Sequence, residues 1–262
     1  MKIVCLVKFV PKVDDFKYDY EQNILIRDNV PMILNPDDAC ALSYALQLKD
    51  KNPETTVEVV SMGPLGLKEK MEDLLRRNVD RATLLSDKKF VGSDSFATSH
   101  VLSTYLKSRN YDLILSGSQT LDGDTGHIGP QVAELLDIPQ CSNIVKINDI
   151  NSETATFTID DEDKLITFEM SLPCLLSVSK DSKYKLKFVK SSDMHKDVEE
   201  KFFVLTNEDL QLPADKIGLK GSPTKVSKSF VKKLEKRKTE FIKCDDAGIE
   251  KIYKFLQSQG VV

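Results

Sequence analysis

The run Gly117-Ser118-Gln119-Thr120-Leu121-Asp122-Gly123-Asp124-Thr125-Gly126-His127-Ile128-Gly129-Pro130 concentrates glycines, hydroxyls, two carboxylates and a histidine. Glycines let backbone amides approach a ligand closely, and the first amides of a following helix have no intrahelical partner, so the natural guest is an anion. Asp122 and Asp124 would repel a phosphate that they faced. They are expected to cap the turn or to bind ribose hydroxyls, leaving the Thr125 hydroxyl and the amides of residues 125–129 for the phosphate. The run lacks the Lys-Ser/Thr pair of GxxxxGK[ST] and is not GxGxxG. An ordinary strand-to-helix turn, with glycines for tight geometry, satisfies the same pattern.

The elements around it decide what such a turn can do. An apolar run from Tyr111 to Leu115 reads as a buried strand, and Val132, Leu135 and Leu136, closed by Pro139, read as a helix. Ile3 to Val7 reads as a first strand and Tyr18 to Arg27 as a small hairpin. Asn35-Pro36-Asp37-Asp38 opens a helix with an apolar face of Ala41, Leu42, Ala45, Leu46 and Leu48. Val57 to Val60 is a strand that stops at Ser61-Met62-Gly63-Pro64, and a helix from about Leu67 to Arg77 follows. Ala82 to Leu85 is strand-like, and Ser93 or Asp94 caps a helix carrying Ala97, Val101, Leu102, Tyr105 and Leu106.

Strands alternating with helices predict an α/β, doubly wound, mainly parallel Rossmann-like sheet of the adenine-nucleotide-binding type. The turns at Lys8–Pro11, Met62–Pro64 and Gly117–Pro130 then share the sheet edge where ligands bind in open α/β folds. Beyond Ile144 the pattern alternates. Thr154–Ile159 and Leu165–Phe168, split by the acidic run Asp160 to Asp163, predict an antiparallel hairpin at about 150–171, and Leu172 to Ser177 a further strand. After Lys180 periodicity fades, and only Phe230–Leu234 and Ile249–Leu256 look helical. The organisation expected is a nucleotide-binding domain over residues 1–190 and an extended C-terminal arm over 191–262 that lies on a partner.

Composition narrows the function classes. The 262 residues are 40% hydrophobic and 30% charged, with a net charge of −4 and a pI near 5.6. This describes a globular chain, and one whose interspersed charges disfavour general nucleic-acid binding; the basic run Lys225–Lys238 reads as a solvated or partner-facing face. The five cysteines are far apart with no CxxC pair, which predicts reduced thiols and no metal centre. No stretch approaches the roughly 20 apolar residues of a membrane span, so a cytoplasmic protein is expected. His100, His127 and His195 have no ligand spacing, and no GxSxG elbow or Cys-His signature appears. The chemistry belongs to a bound cofactor.

In order along the chain, Val7-Lys8-Phe9-Val10-Pro11, Asn35-Pro36, Ser61-Met62-Gly63-Pro64, Gly92 to Ser99, Asp122-Gly123-Asp124-Thr125, Leu172 to Ser177 and Gly221 to Val226 resemble the electron transfer flavoprotein beta subunit. The resemblance implies a heterodimer with an alpha subunit. Ordinary members hold AMP in the beta subunit. Bifurcating members hold FAD there, which takes a hydride from NADH and sends one electron to ferredoxin and the other through the alpha flavin to a dehydrogenase. The turn Leu121-Asp122-Gly123-Asp124-Thr125 followed by Gly129-Pro130 is similar to the bifurcating type.

Carried over by that resemblance, the cofactor contacts are Leu6, Asn35, Pro36, Asp37, Asp38, Met62, Gly117, Ser118, Gln119, Thr120, Leu121, Asp122, Gly123, Asp124, Thr125, Gly126, His127 and Ile128. The small Gly123 and Gly126 would leave room for the FAD diphosphate, and His127 would hydrogen-bond the flavin. The loop that docks on a partner flavin dehydrogenase falls near Asp181–Met194, with Lys183, Tyr184, Leu186 and Phe188 as its contacts and Leu186 as its anchor. Ser118 stands where the family has a lysine. The altered loop points away from a standard acyl-CoA dehydrogenase and leaves acyl-CoA, enoyl-CoA and 2-hydroxy-acid enzymes as partners.

Overall fold

A computed structural model describes residues 1–12, 17–19, 24–26, 31–161, 164–224 and 239–261, which form two compact units, Met1–Val226 and Ser227–Val262. In the first unit the chain runs β1 (Lys2–Leu6), β2 (Phe9–Pro11), β3 (Lys17–Asp19), β4 (Ile24–Ile26), β5 (Met32–Leu34), α1 (Pro36–Lys51), β6 (Thr56–Met62), α2 (Lys68–Leu75), β7 (Arg81–Leu85), α3 (Ser95–Lys107), β8 (Leu113–Gly117) and α4 (Ile128–Leu136). There follow β9 (Gln140–Ile150), β10 (Thr154–Asp161), β11 (Lys164–Ser171), β12 (Cys174–Val178), β13 (Phe202–Leu205), α5 (Asn207–Leu210) and α6 (Gly218–Gly221).

The main sheet has the order β11-β10-β9-β12-β8-β1-β6-β7-β13. Every pairing from β9 to β13 is parallel, while β10 runs antiparallel to both β9 and β11. The doubly wound sheet and the hairpin are thus the expected ones. The physical cause is the period of two along each strand, which sends alternate side chains to opposite faces. Ile3, Cys5, Val57, Val59, Leu113 and Leu115 enter one core with α1 and α2. Val4, Leu6, Val60, Ile114 and Leu175 enter another with Val101, Leu102 and Val132 of α3 and α4.

Three stretches differ from the sequence reading. Phe9–Pro11, expected as a turn, pairs antiparallel with Met32–Leu34 as a small separate sheet. Gln140–Ile150 is a long strand although its side chains are largely polar and only Ile144 and Ile147 are buried. Phe202–Leu205, in the stretch without periodicity, is the parallel edge strand beside β7. The Arg81 guanidinium lies 3.4 Å from the centre of the Phe203 ring, so a cation–aromatic stack helps fix that edge. The expected hairpin at Tyr18–Arg27 corresponds to β3 and β4, paired Lys17↔Ile26 to Asp19↔Ile24, and its turn lies outside the described residues.

The second unit contains α7 (Asp246–Ser258), capped by Asp245, whose carboxylate accepts from the Gly248 amide at 2.9 Å. Its Ile249, Ile252, Tyr253 and Phe255 are exposed. The helical pattern at Phe230–Leu234 and the basic run Lys225–Lys238 lie outside the described residues. Among those described, no helix is long and apolar enough to cross a membrane.

Candidate functional site

Strand order reverses direction at β1 and β8: the chain leaves β1 toward β6 and leaves β8 toward β9. Diverging connections open a crevice beyond the carboxyl ends of those two strands, the position at which open α/β sheets bind ligands. A cavity of about 300 Å3 occupies it. Leu6, Val7 and Lys8 come to it from the end of β1, Val60 and Met62 from β6, residues 116–120 from β8, and Gly123 and residues 125–129 from the following turn.

Two helices start at its wall. Asp94 caps α3, its side chain accepting from the Ala97 amide at 3.0 Å, and α4 begins at Ile128 with no side-chain cap. The Ile128 and Gly129 amides are therefore among the donors that a helix leaves unpaired at its start, and Pro130 has none to leave. Gly129 brings this turn close: a Cβ there would stand 3.1 Å from Ser116 Oγ and 3.2 Å from Leu175 Cδ2. Gly126 has φ +63°, a left-handed conformation that costs a residue with a side chain about 1 kcal/mol or more. Gly123 lines the cavity, and an added Cβ there would meet Thr120 Oγ1 in ordinary contact at 3.5 Å.

The opposite wall is built from the start of α1 and is fully wired. Asn35 is 1% exposed; its amide donates to the Gln119 carbonyl at 2.7 Å and accepts from the Leu121 amide at 3.2 Å. Asp38 accepts the Lys8 amide at 2.7 Å and the Gly117 amide at 2.9 Å. Asp37 accepts the Gln119 and Lys180 amides, each at 3.2 Å. Asn35, Asp37 and Asp38 thus tie the ends of β1, β8 and β12 to one helix start. An alanine methyl at Gly117 would lie 2.7 Å from both Asp37 Cβ and the Asp38 nitrogen, so this clamp requires glycine opposite it.

Burial governs the charge state here. It pushes the Asp38 carboxyl up to about 7, with the amides of Lys8 and Gly117 and the Asn35 side chain opposing and Asp37 reinforcing. It also raises Asp37, against hydrogen bonds from Gln119 and Lys180. The two exposed-side carboxylates move the other way. Burial would raise Asp122, but the Lys8 ammonium, 2.7 Å away, and the Thr120 side chain outweigh it and hold the carboxyl below its usual range. Asp94 is likewise held down, against burial, by the Thr224 hydroxyl and the Ala97 and Thr224 amides.

Of the residues expected to contact a cofactor, Leu6, Asp38, Met62, Gly117, Ser118, Gln119, Thr120, Gly123, Thr125, Gly126, His127 and Ile128 line this one cavity. Asn35 and Asp37 stand behind it in the clamp, and Pro36 begins α1. Leu121, Asp122 and Asp124 lie on the outer side of the turn, Asp122 in its pair with Lys8 and Asp124 with φ 48°. Ser118 bridges three strands: its amide donates to the Val178 carbonyl, and its hydroxyl donates to the Ser177 carbonyl and accepts from the Asn143 amide. Ser93, Ser95, Thr98 and Leu102 also line the cavity, although none of them was expected to contact the cofactor. The signal for them was the capped helix start at Asp94.

The four docking-loop residues divide in two. The Tyr184 hydroxyl accepts from the Ile147 amide at 3.0 Å, its ring packs 5.2 Å from that of Tyr44, and Leu186 packs against the core. Lys183 is exposed with φ 59°, and Phe188 is 91% exposed. The most exposed apolar side chain of this loop is Phe188, and Met194 at its end is exposed as well.

Comparison with known proteins places the chain in a family. A family model of the electron transfer flavoprotein domain matches residues 22–197. The electron transfer flavoprotein subunit beta of Clostridium acetobutylicum is 36% identical over 90% of this chain and 90% of its own length. The caffeyl-CoA reductase-Etf complex subunit CarD of Acetobacterium woodii is 37% identical over 88% of this chain and 87% of its own. The acryloyl-CoA reductase electron transfer subunit gamma of Anaerotignum propionicum is 33% identical over 88% of each.

Proposed function

The chain belongs to the electron transfer flavoprotein family, among its beta subunits, and from that premise we propose that it pairs with an alpha subunit and holds FAD in the cavity at the ends of β1 and β8. When bound there, FAD supplies hydride acceptance from NADH and delivery of electrons singly, one to ferredoxin and one through the alpha-subunit FAD to a partner dehydrogenase.

The observation that carries this reading is the open, glycine-rich wall of the cavity. Gly123 and Gly126 line it without side chains, and Gly126 takes a backbone conformation that favours glycine, so the turn can admit a diphosphate. Leu6, Val60, Met62 and Leu102 offer apolar surface to the adenine edge. The Thr125 hydroxyl and the amides at the start of α4 receive the phosphate oxygens. His127, exposed at the cap position of α4, is placed to hydrogen-bond the flavin and tune its potential. A cavity of about 300 Å3 also has room for AMP, which would make the subunit an ordinary electron carrier.

Two relatives carry CoA reductases in their names. By analogy the partner here is a flavin dehydrogenase of acyl-CoA, enoyl-CoA or 2-hydroxy-acid type. Phe188 is proposed as its anchor, since exposed aromatics in loops are the usual docking hot spots. The exposed apolar face of α7 is assigned to the alpha subunit. The test is NADH-driven reduction of ferredoxin by the reconstituted heterodimer with its dehydrogenase and acceptor. Ferredoxin reduction that requires the acceptor supports the proposal; electron flow to the acceptor with ferredoxin left oxidised overturns it.

A further inference from the structure

A second cavity, of about 280 Å3, lies away from the strand carboxyl ends, between the second half of α1, the end of α2 and the segment Leu186–Lys201. Its floor is apolar: Leu75, Val79 and Val198 are almost fully buried, and Leu46 and Leu186 pack against the same core. Its walls are cationic in a chain whose net charge is −4.

The arginines at the end of α2 brace the covering segment. Arg76 Nε donates to the Lys196 carbonyl at 3.2 Å, and Arg77 donates to the Lys187 carbonyl and, at 2.9 Å, to Asp73. This leaves Arg77 Nε buried with no hydrogen-bond partner. An unpaired buried donor of a guanidinium is costly unless an acceptor reaches it. Lys190, Lys196 and Lys201 line the same cavity, and their ammonium groups make no ion pair or hydrogen bond among the described residues. The lining carboxylates among those residues are Asp50, taken by Lys187 at 2.8 Å, and Asp193.

We propose that this second cavity binds a small molecule carrying two adjacent phosphates, at a site separate from the nucleotide cavity. Six cationic side chains line the cavity against two carboxylates, Asp50 and Asp193, an excess of positive charge greater than the about two negative charges of one phosphate. The apolar floor lowers the local dielectric response and strengthens their field. The Arg76 and Arg77 bonds to the segment's carbonyls hold its backbone in place, so a ligand has less of the segment to order.

The experiment is calorimetric titration of the purified full chain with inorganic pyrophosphate. It compares wild type, the triple variant Lys190→Ala/Lys196→Ala/Lys201→Ala, and the control triple Lys2→Ala/Lys88→Ala/Lys107→Ala, which makes the same change in net charge at other lysines. The expected result is saturable one-site binding that weakens about tenfold or more in the first variant and changes by less than about twofold in the control. Absence of saturation in wild type, equal loss in both variants, or loss in neither overturns the proposal. Unchanged circular dichroism and thermal midpoints keep misfolding out of the comparison.

Discussion

The two walls of the cavity between β1 and β8 are made from similar residue types and do different work. On the α1 side, Asn35, Asp37 and Asp38 are buried and every side chain accepts or donates to backbone of another strand end. On the α4 side, residues 121–125 are exposed, Gly123 lines the cavity, and the first helix amides are unpaired among the described residues. A buried carboxylate committed to two amides is a structural tie, because breaking it strands donors that water cannot reach. A glycine-lined turn with free amides has given up internal bonds in favour of a guest. Substitutions on the first wall should therefore unfold the protein, and those on the second should empty it.

The largest effect is expected from Asp38→Ala, which orphans the Lys8 and Gly117 amides. It should lower unfolding free energy by about 3 kcal/mol in urea titration. Asp38→Asn sharpens the same point through pH. Burial raises Asp38 to about 7, well above the ordinary carboxyl range near 4, so the folded state binds the proton more tightly than the unfolded chain. That contribution is fully present below about pH 4 and is lost as pH rises through about 7. The stability difference between wild type and Asp38→Asn should move by that slope over this window and stay flat above it.

Across the cavity, Thr125→Val should weaken nucleotide binding by about tenfold while leaving stability within about 0.5 kcal/mol, measured by equilibrium dialysis and urea titration. Gly126→Ala is intermediate: its φ of +63° predicts a loss of about 1 kcal/mol in stability. Smallest is Asp122→Asn, which breaks a half-exposed pair with Lys8 and should cost less than about 1 kcal/mol, a loss that shrinks further in high salt. A large stability loss at Thr125, or ligand loss without destabilisation at Asp38, would erase the distinction between the walls.

Much of the fold could be read from the residues because the buried strands alternate or run apolar and the helices carry caps. Asp94, for example, caps α3 as its position implies. Strand β13 could not, since three of its four residues are only half-buried, Val204 is exposed, and the strand acquires its meaning from β7, far away in sequence. In the site, sequence and resemblance brought together the right turn but did not separate its roles. Asn35, Asp37 and Asp38 look like ligands for ribose or phosphate when only their types are known, and it takes the third dimension to place the Lys8, Gly117, Gln119 and Lys180 amides against them. The docking loop shows the same limit: Leu186 and Phe188 are both apolar residues in a charged stretch, and only packing sends one to the core and leaves the other 91% exposed.

What occupies the open wall is best decided by co-purifying the chain with its alpha subunit, denaturing the dimer and counting the FAD and AMP released. Two FAD and no AMP per dimer is the predicted result. One FAD and one AMP per dimer would contradict it and make the chain an ordinary electron carrier with a structural nucleotide at the same turn.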